Sequence, residues 1–106
     1  MIVAPCSVRS LAEIADGATS SLLTRAADVT LKERRQLVLV MRETPLSAVH
    51  LRNMLAVTEA GGVVVPPVPA FYLRPESLKD VITRVVGRAL DLFGLVVAIP
   101  RWGEDE

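Results

Sequence analysis

Arg42-Glu43 follows an apolar run, Leu37–Met41, and precedes Thr44-Pro45. An arginine can hold a phosphate through two parallel N–H bonds, and a neighbouring carboxylate can move a proton. A surface ion pair or a helix-capping acid would use the same two residues. Arg25 and Lys32 are seven residues apart. At about 100° per residue they lie within about 20° of one helical face, where both can reach one anion. A solvated face with Arg25–Asp28 and Asp28–Lys32 pairs is the plainer reading. Arg88 interrupts an apolar stretch between Val86 and Leu90, as an anion ligand or as an ordinary polar-face residue. Tyr72, the only tyrosine, sits in a proline-rich loop, where its phenol can bond a phosphate oxygen or anchor the loop. Trp102, the only tryptophan, is either a platform for a flat ligand or packing for a loose tail. Cys6 reads as a buried small residue and His50 as a structural one. Gly61-Gly62 precedes a strand, the wrong context for a phosphate-binding loop.

These residues need a frame, and the pattern supplies one. Met1–Ala4, Leu37–Met41 and Val63–Val65 are short apolar runs that read as strands. Between them lie helical patterns. The first covers about 8–16, capped by Ser7 and stopped by Gly17. The second runs from Ser20 or Ser21 to about Arg35. The third begins at Thr44-Pro45, with the proline at its first position, and runs to about Ala60. The last covers about 78–93, with Ser77 and Asp80 resembling a capping box. Strands alternating with helices predict parallel β-α-β units with right-handed crossovers. The expected fold is α/β, a Rossmann/flavodoxin-like three-layer α-β-α arrangement with a partial parallel sheet. Residues 1–95 form its domain and 96–106 an irregular tail. Ligands of open parallel sheets bind beyond the carboxyl ends of the strands, where Pro5-Cys6-Ser7, Arg42-Glu43 and the loop 66–72 arrive. Three strands starting at residue 1 leave an apolar edge, so the chain is expected to associate or to need a further segment.

The chain has 106 residues, enough for one small domain. Twelve basic and twelve acidic residues cancel, so no net field recruits nucleic acid or an anionic membrane. Ten of the basic residues are arginine, the better fork for carboxylate and phosphate. One cysteine and one histidine argue against a disulfide framework and a metal site. No apolar run approaches the roughly 20 residues of a membrane span, and no signal peptide is visible. A cytoplasmic location is expected.

Taken in order, Pro5-Cys6-Ser7, Arg25-Ala26-Ala27-Asp28-Val29, Leu31-Lys32-Glu33-Arg34-Arg35, Arg42-Glu43-Thr44-Pro45, Pro69-Ala70-Phe71-Tyr72, Gly87-Arg88 and Pro100-Arg101-Trp102-Gly103 resemble the UbiX-type flavin prenyltransferases. The resemblance implies transfer of a dimethylallyl group from dimethylallyl phosphate to reduced FMN. The prenylated FMN then serves UbiD-type decarboxylases, and no metal is needed. It implies that Arg25, Lys32, Arg42, Tyr72 and Arg88 hold the donor phosphate. Glu43 handles a proton, with Lys32 and Arg42 beside it as catalytic residues. Ser7, Arg42 and Trp102 meet the flavin or wall the prenyl site. A homo-oligomer, a dodecamer in the family, is implied as well. The chain departs from the family at Met41, where proline precedes Arg-Glu, and in lacking the Gly-Ala-Ser-Gly-type loop for the FMN phosphate. It therefore reads as the carboxy-terminal part of such an enzyme. Two alternatives stand beside that reading. One is a non-catalytic flavin-binding or assembly subunit, or a truncated fragment. The other is an FMN-dependent cysteine decarboxylase of the same fold, which the arginine and lysine set disfavours.

Overall fold

The computed structural model describes residues 1–101, in two compact units divided after Pro66. The first unit contains three strands, β1 (Ile2–Cys6), β2 (Val38–Met41) and β3 (Val63–Val65). It also contains three helices, α1 (Val8–Asp16), α2 (Leu22–Lys32) and α3 (Ala48–Glu59). The strands are parallel and lie in the order β1-β2-β3, with Ile2 opposite Val38 and Val38 opposite Val63. Strand order advances in one direction, so right-handed crossovers put the connecting helices on one face. The packing of α1 on α3 fits that placement. The α/β class and the partial parallel sheet are as the alternating pattern predicts.

Leu11 and Ile14 of α1, Ala27 of α2 and Val57 of α3 are buried with Val3, Cys6, Leu39 and Met41 of the sheet. Leu37, Val38 and Leu39 are successive and all wholly buried, so β2 is covered on both faces.

The element ends follow from local hydrogen bonding. Ser7 caps α1 by accepting from the Ser10 N–H at 3.1 Å, and Gly17, left-handed at φ 74°, closes it. Ser21 and Thr24 form a reciprocal capping box at the start of α2. The Glu13 carboxylate joins α1 to this point. It accepts from the Ser20 hydroxyl, from the Ser20 N–H at 3.2 Å and from the Thr24 hydroxyl. The Ser20 bonds hold the Glu13 carboxyl below its usual range.

Three boundaries differ from expectation. β1 continues through Pro5 to Cys6, with a register irregularity between Val3 and Cys6. β1 is an outer strand of this sheet, where a residue without an N–H costs no ladder bond. α2 ends at Lys32, short of Arg35. Arg34 takes a left-handed φ of 60°, its N–H bonds Leu31 at 3.0 Å, and the Arg35 N–H bonds Thr30 at 2.9 Å. That is a Schellman closure with arginine where glycine is usual, so no composition signal announced it. α3 begins at Ala48 and is capped by Ser47, not by Thr44. The Ser47 side chain accepts from the His50 N–H at 3.2 Å while His50 Nδ1 accepts from the Ser47 N–H at 3.1 Å. Two reciprocal bonds at Ser47 outcompete a cap at Thr44, and Thr44-Pro45 stays in the connection.

The second unit holds a 3₁₀ turn at Phe71–Leu73, unforeseen in the sequence, and α4 (Leu78–Asp91). Ser77 caps α4 through the Asp80 N–H at 3.0 Å. The Asp80 carboxylate accepts from the Glu76 N–H at 3.1 Å, one residue before the cap. Arg84 Nη1 donates to the Leu73 carbonyl at 3.0 Å and ties the turn to the helix. A Cβ at Gly87 would lie 2.6 Å from Ile99 Cδ1, so glycine is what lets the segment after α4 lie against it. Among the described residues no helix is long and apolar enough to cross a membrane.

Candidate functional site

Cys6 is opposite Met41, and Val40 opposite Val65. Ser7 and Arg42 therefore leave neighbouring strands at the same edge of the sheet, beyond the carboxyl ends where such folds place ligands. Arg42 and Glu43 are both exposed, and neither makes an ion pair with the other or with any described residue. Glu43 caps no helix, because Ser47 does. The surface ion pair and the capping acid, the two structural uses open to this dipeptide, are both unrealised.

Cys6 is wholly buried directly before Ser7. Burial pushes its thiol up to about 11, and the nearby Arg42 charge opposes that without reversing it. The thiol is therefore neutral near pH 7 and is no nucleophile. Ser7 uses its oxygen as the α1 cap and lies 3.2 Å from the Ser10 hydroxyl.

The helix cations are held differently. Arg25 Nη1 lies 3.0 Å from Asp28 Oδ2, and Lys32 Nζ lies 3.9 Å from Glu33 Oε1. The expected Asp28–Lys32 pair is not formed. In the second unit, Arg88 is exposed and donates from Nη1 to Asp91 Oδ2 at 2.7 Å. Tyr72 is exposed on the 3₁₀ turn. Trp102 lies outside the described residues. The first unit thus brings together Ser7, Arg42 and Glu43 along one sheet edge, with Arg25 and Lys32 on α2. Tyr72 and Arg88 belong to the second unit.

The structure also gives His50 its structural role and shows a group, Asp91, that sequence reasoning passed over. His50 completes the cap that ends the Arg42–Glu43 connection. Asp91 gathers two arginines. Arg101 Nε and Nη2 reach its Oδ2 and Oδ1 at 2.9 and 2.7 Å, in addition to Arg88. Arg101 and then Arg88 hold the Asp91 carboxyl down to about 2. The i,i+3 spacing of Arg88 and Asp91 was a readable signal, whereas the Arg101 contact across ten residues had none.

A shallow concavity lined by Leu31, Arg34, Arg35, Gln36, Ala60 and Gly61 lies at the opposite edge, where β2 and β3 begin. It contains none of the candidate residues.

The Flavoprotein family model matches residues 1–89. Flavin prenyltransferase PAD1, mitochondrial, of Saccharomyces cerevisiae is 58% identical over 103 residues, covering 96% of this chain and 43% of its own length. Flavin prenyltransferase UbiX of Escherichia coli K12 is 56% identical over 97 residues, covering 92% of this chain and 51% of its own length. A crystal structure of AnUbiX (PadA1) in complex with FMN and dimethylallyl pyrophosphate superimposes with a TM-score of 0.96 at 58% identity, over 100% of this chain and 57% of that one. A dodecameric FMN-dependent UbiX-like decarboxylase from Escherichia coli O157:H7 gives a TM-score of 0.93 at 54% identity, over 96% and 56% of the two chains. The chain spans about half the length of the relatives it matches.

Proposed function

The chain belongs to the flavoprotein family, and on that premise we propose that it carries the donor-phosphate and proton-handling part of a flavin prenyltransferase site. The reaction is transfer of a dimethylallyl group from dimethylallyl phosphate to reduced FMN. The observation that carries the proposal is Arg42-Glu43, exposed at the carboxyl edge of a parallel sheet with neither charge in an ion pair among the described residues. Support comes from relatives named flavin prenyltransferases and from a solved neighbour holding FMN with an allylic pyrophosphate.

The residues fit an anionic flavin and an anionic donor. FMN brings a phosphate and, when reduced, electron-rich ring atoms that accept the allyl group. Ser7 and Arg42 are the groups among the described residues that meet it. Breaking the allylic carbon–oxygen bond leaves its electron pair on the donor phosphate. Arg25, Lys32, Arg42 and Arg88 supply positive charge for that oxyanion, and Tyr72 a hydroxyl donor. Arg42 meets it with its fork open, while the helix cations are shared with their acids. Glu43 holds or moves a proton at the reacting centre, since no cation among the described residues pairs with its carboxylate. The same reading takes the chain as cytoplasmic and as part of a homo-oligomer. Its product goes to a UbiD-type decarboxylase.

The test is to supply dimethylallyl phosphate and reduced FMN to the full-length protein under anaerobic conditions. Mass spectrometry then looks for flavin carrying one added dimethylallyl unit. Formation of that product, and its loss in Glu43→Gln, is expected. FMN bound tightly with no added mass would replace this reading with a flavin-binding assembly role.

A further inference from the structure

Arg88 and Arg25 are both exposed helix arginines with an aspartate three residues on, at 2.7 and 3.0 Å. An isolated pair of this kind is weak and does not fix a side chain. Asp28 has no second cation among the described residues, so Arg25 is held no better than that. Asp91 is different. The Arg101 fork engages both of its oxygens, at 2.9 and 2.7 Å. Arg101 is itself anchored by the carbonyls of Ile99 at 3.1 Å and Val97 at 2.7 Å. Ile99 in turn is seated against Gly87, one residue from Arg88.

We propose that Asp91 is a positioning residue, pinned by Arg101, that orients the Arg88 guanidinium toward an anionic ligand. This rests on the preceding reading that Arg88 meets the donor phosphate. A carboxylate gripped by a bidentate fork is a fixed acceptor, so the Arg88 guanidinium bonded to it is steered toward one orientation. Arg88 gives only Nη1 to Asp91, which leaves Nε and Nη2 to grip a phosphate. The low Asp91 pKa, about 2, keeps the carboxylate charged at any working pH. Asp91 touches no reacting group. Its effect runs through Arg88.

The experiment compares Asp91→Ala, Asp91→Glu, Arg101→Lys and Asp28→Ala in the full-length protein. Asp91→Ala should raise KM for dimethylallyl phosphate roughly ten- to hundredfold, with kcat and FMN affinity within about twofold. Asp91→Glu should restore most of the loss. Arg101→Lys cannot grip both oxygens and should raise KM in the same direction by less. Asp28→Ala should not raise KM, because Asp28 only competes for Arg25. An unchanged KM in Asp91→Ala would overturn the proposal. So would a joint fall of kcat, FMN affinity and melting temperature that Asp91→Glu does not rescue. Side-chain nitrogen NMR of Arg88 reads the same question without turnover. Slow rotation, with separate Nη signals, is expected in the wild type and collapse to one signal in Asp91→Ala. Identical spectra would sink the idea. If the wild type makes no prenylated flavin yet the signals collapse, the proposed reaction fails and the positioning role stands.

Discussion

Arg42 and Glu43 sit on a connection at the sheet edge with no ion-pair partner among the described residues, whereas Arg25, Lys32 and Arg88 sit on helices beside an acid of their own segment. On a helix, residues three or four apart are neighbours, so an exposed cation usually meets an acid that the same turn supplies. On a connection held between a strand and a helix cap, the backbone sets the side chains and no turn brings a counter-charge. A ligand anion can engage Arg42 without displacing anything. At Arg25 it must compete with Asp28. The difference separates charges without an ion-pair partner among the described residues from charges shared with an acid.

The largest effect that would break this contrast belongs to Glu43. Glu43→Gln keeps the shape and removes the charge, so turnover should fall by about 10²–10⁴-fold. The melting temperature should not move, because Glu43 caps nothing. Normal turnover would place Glu43 with the ordinary surface acids.

Next comes Arg42. Arg42→Ala should weaken dimethylallyl phosphate by about 1.5–3 kcal/mol, the value of hydrogen bonds to a charged group. Arg25→Ala should cost clearly less, since Arg25 shares its charge with Asp28. Equal losses, measured as KM for the donor, would erase the distinction.

Cys6 reports on the Arg42 charge from below. Its thiol is raised from an ordinary 9.0 to about 11, so the folded state prefers it neutral. That preference contributes fully below pH 9 and is lost as pH rises from 9 toward about 11, at about 3 kcal/mol. Melting curves across that window should fall, and Cys6→Ala should flatten the fall. Arg42→Ala should push the thiol still higher. An alkaline titration of Cys6 unmoved by Arg42→Ala would mean that the guanidinium is not held near this edge.

His50 sharpens the comparison by a smaller amount. His50→Ala removes one of the two cap bonds that end the Arg42–Glu43 connection, for about 1 kcal/mol of stability. His50→Gln keeps an acceptor at that position and should melt near wild type. A full loss in both variants would assign His50 to packing.

Much of the frame was readable. Ser7 and Gly17 bracket α1 because a hydroxyl cap and a left-handed glycine act within one turn. Val63–Val65 lay between Gly61-Gly62 and Pro66-Pro67, which punctuate a strand without help from distant residues. The misses have separate causes. Thr44-Pro45 has helix-start chemistry, yet the reciprocal Ser47–His50 bonds gave the chain a better start three residues later. The end of α2 turns on Arg34 adopting a left-handed backbone, which its residue type does not advertise.

For the candidate site, the sequence by itself determined the residue types, the seven-residue spacing of Arg25 and Lys32, and the position of Arg42-Glu43 after a strand. Helical and strand periodicities are local, so such placements follow from local physics. Only the tertiary structure decided which charges are already spent. Asp91 is joined to Arg101 by a contact ten residues apart. Among the described residues no acid or base folds back onto Arg42 and Glu43 to form an ion pair. Coulomb and hydrogen-bond partners are chosen by distance in space, and only the folded chain sets that distance.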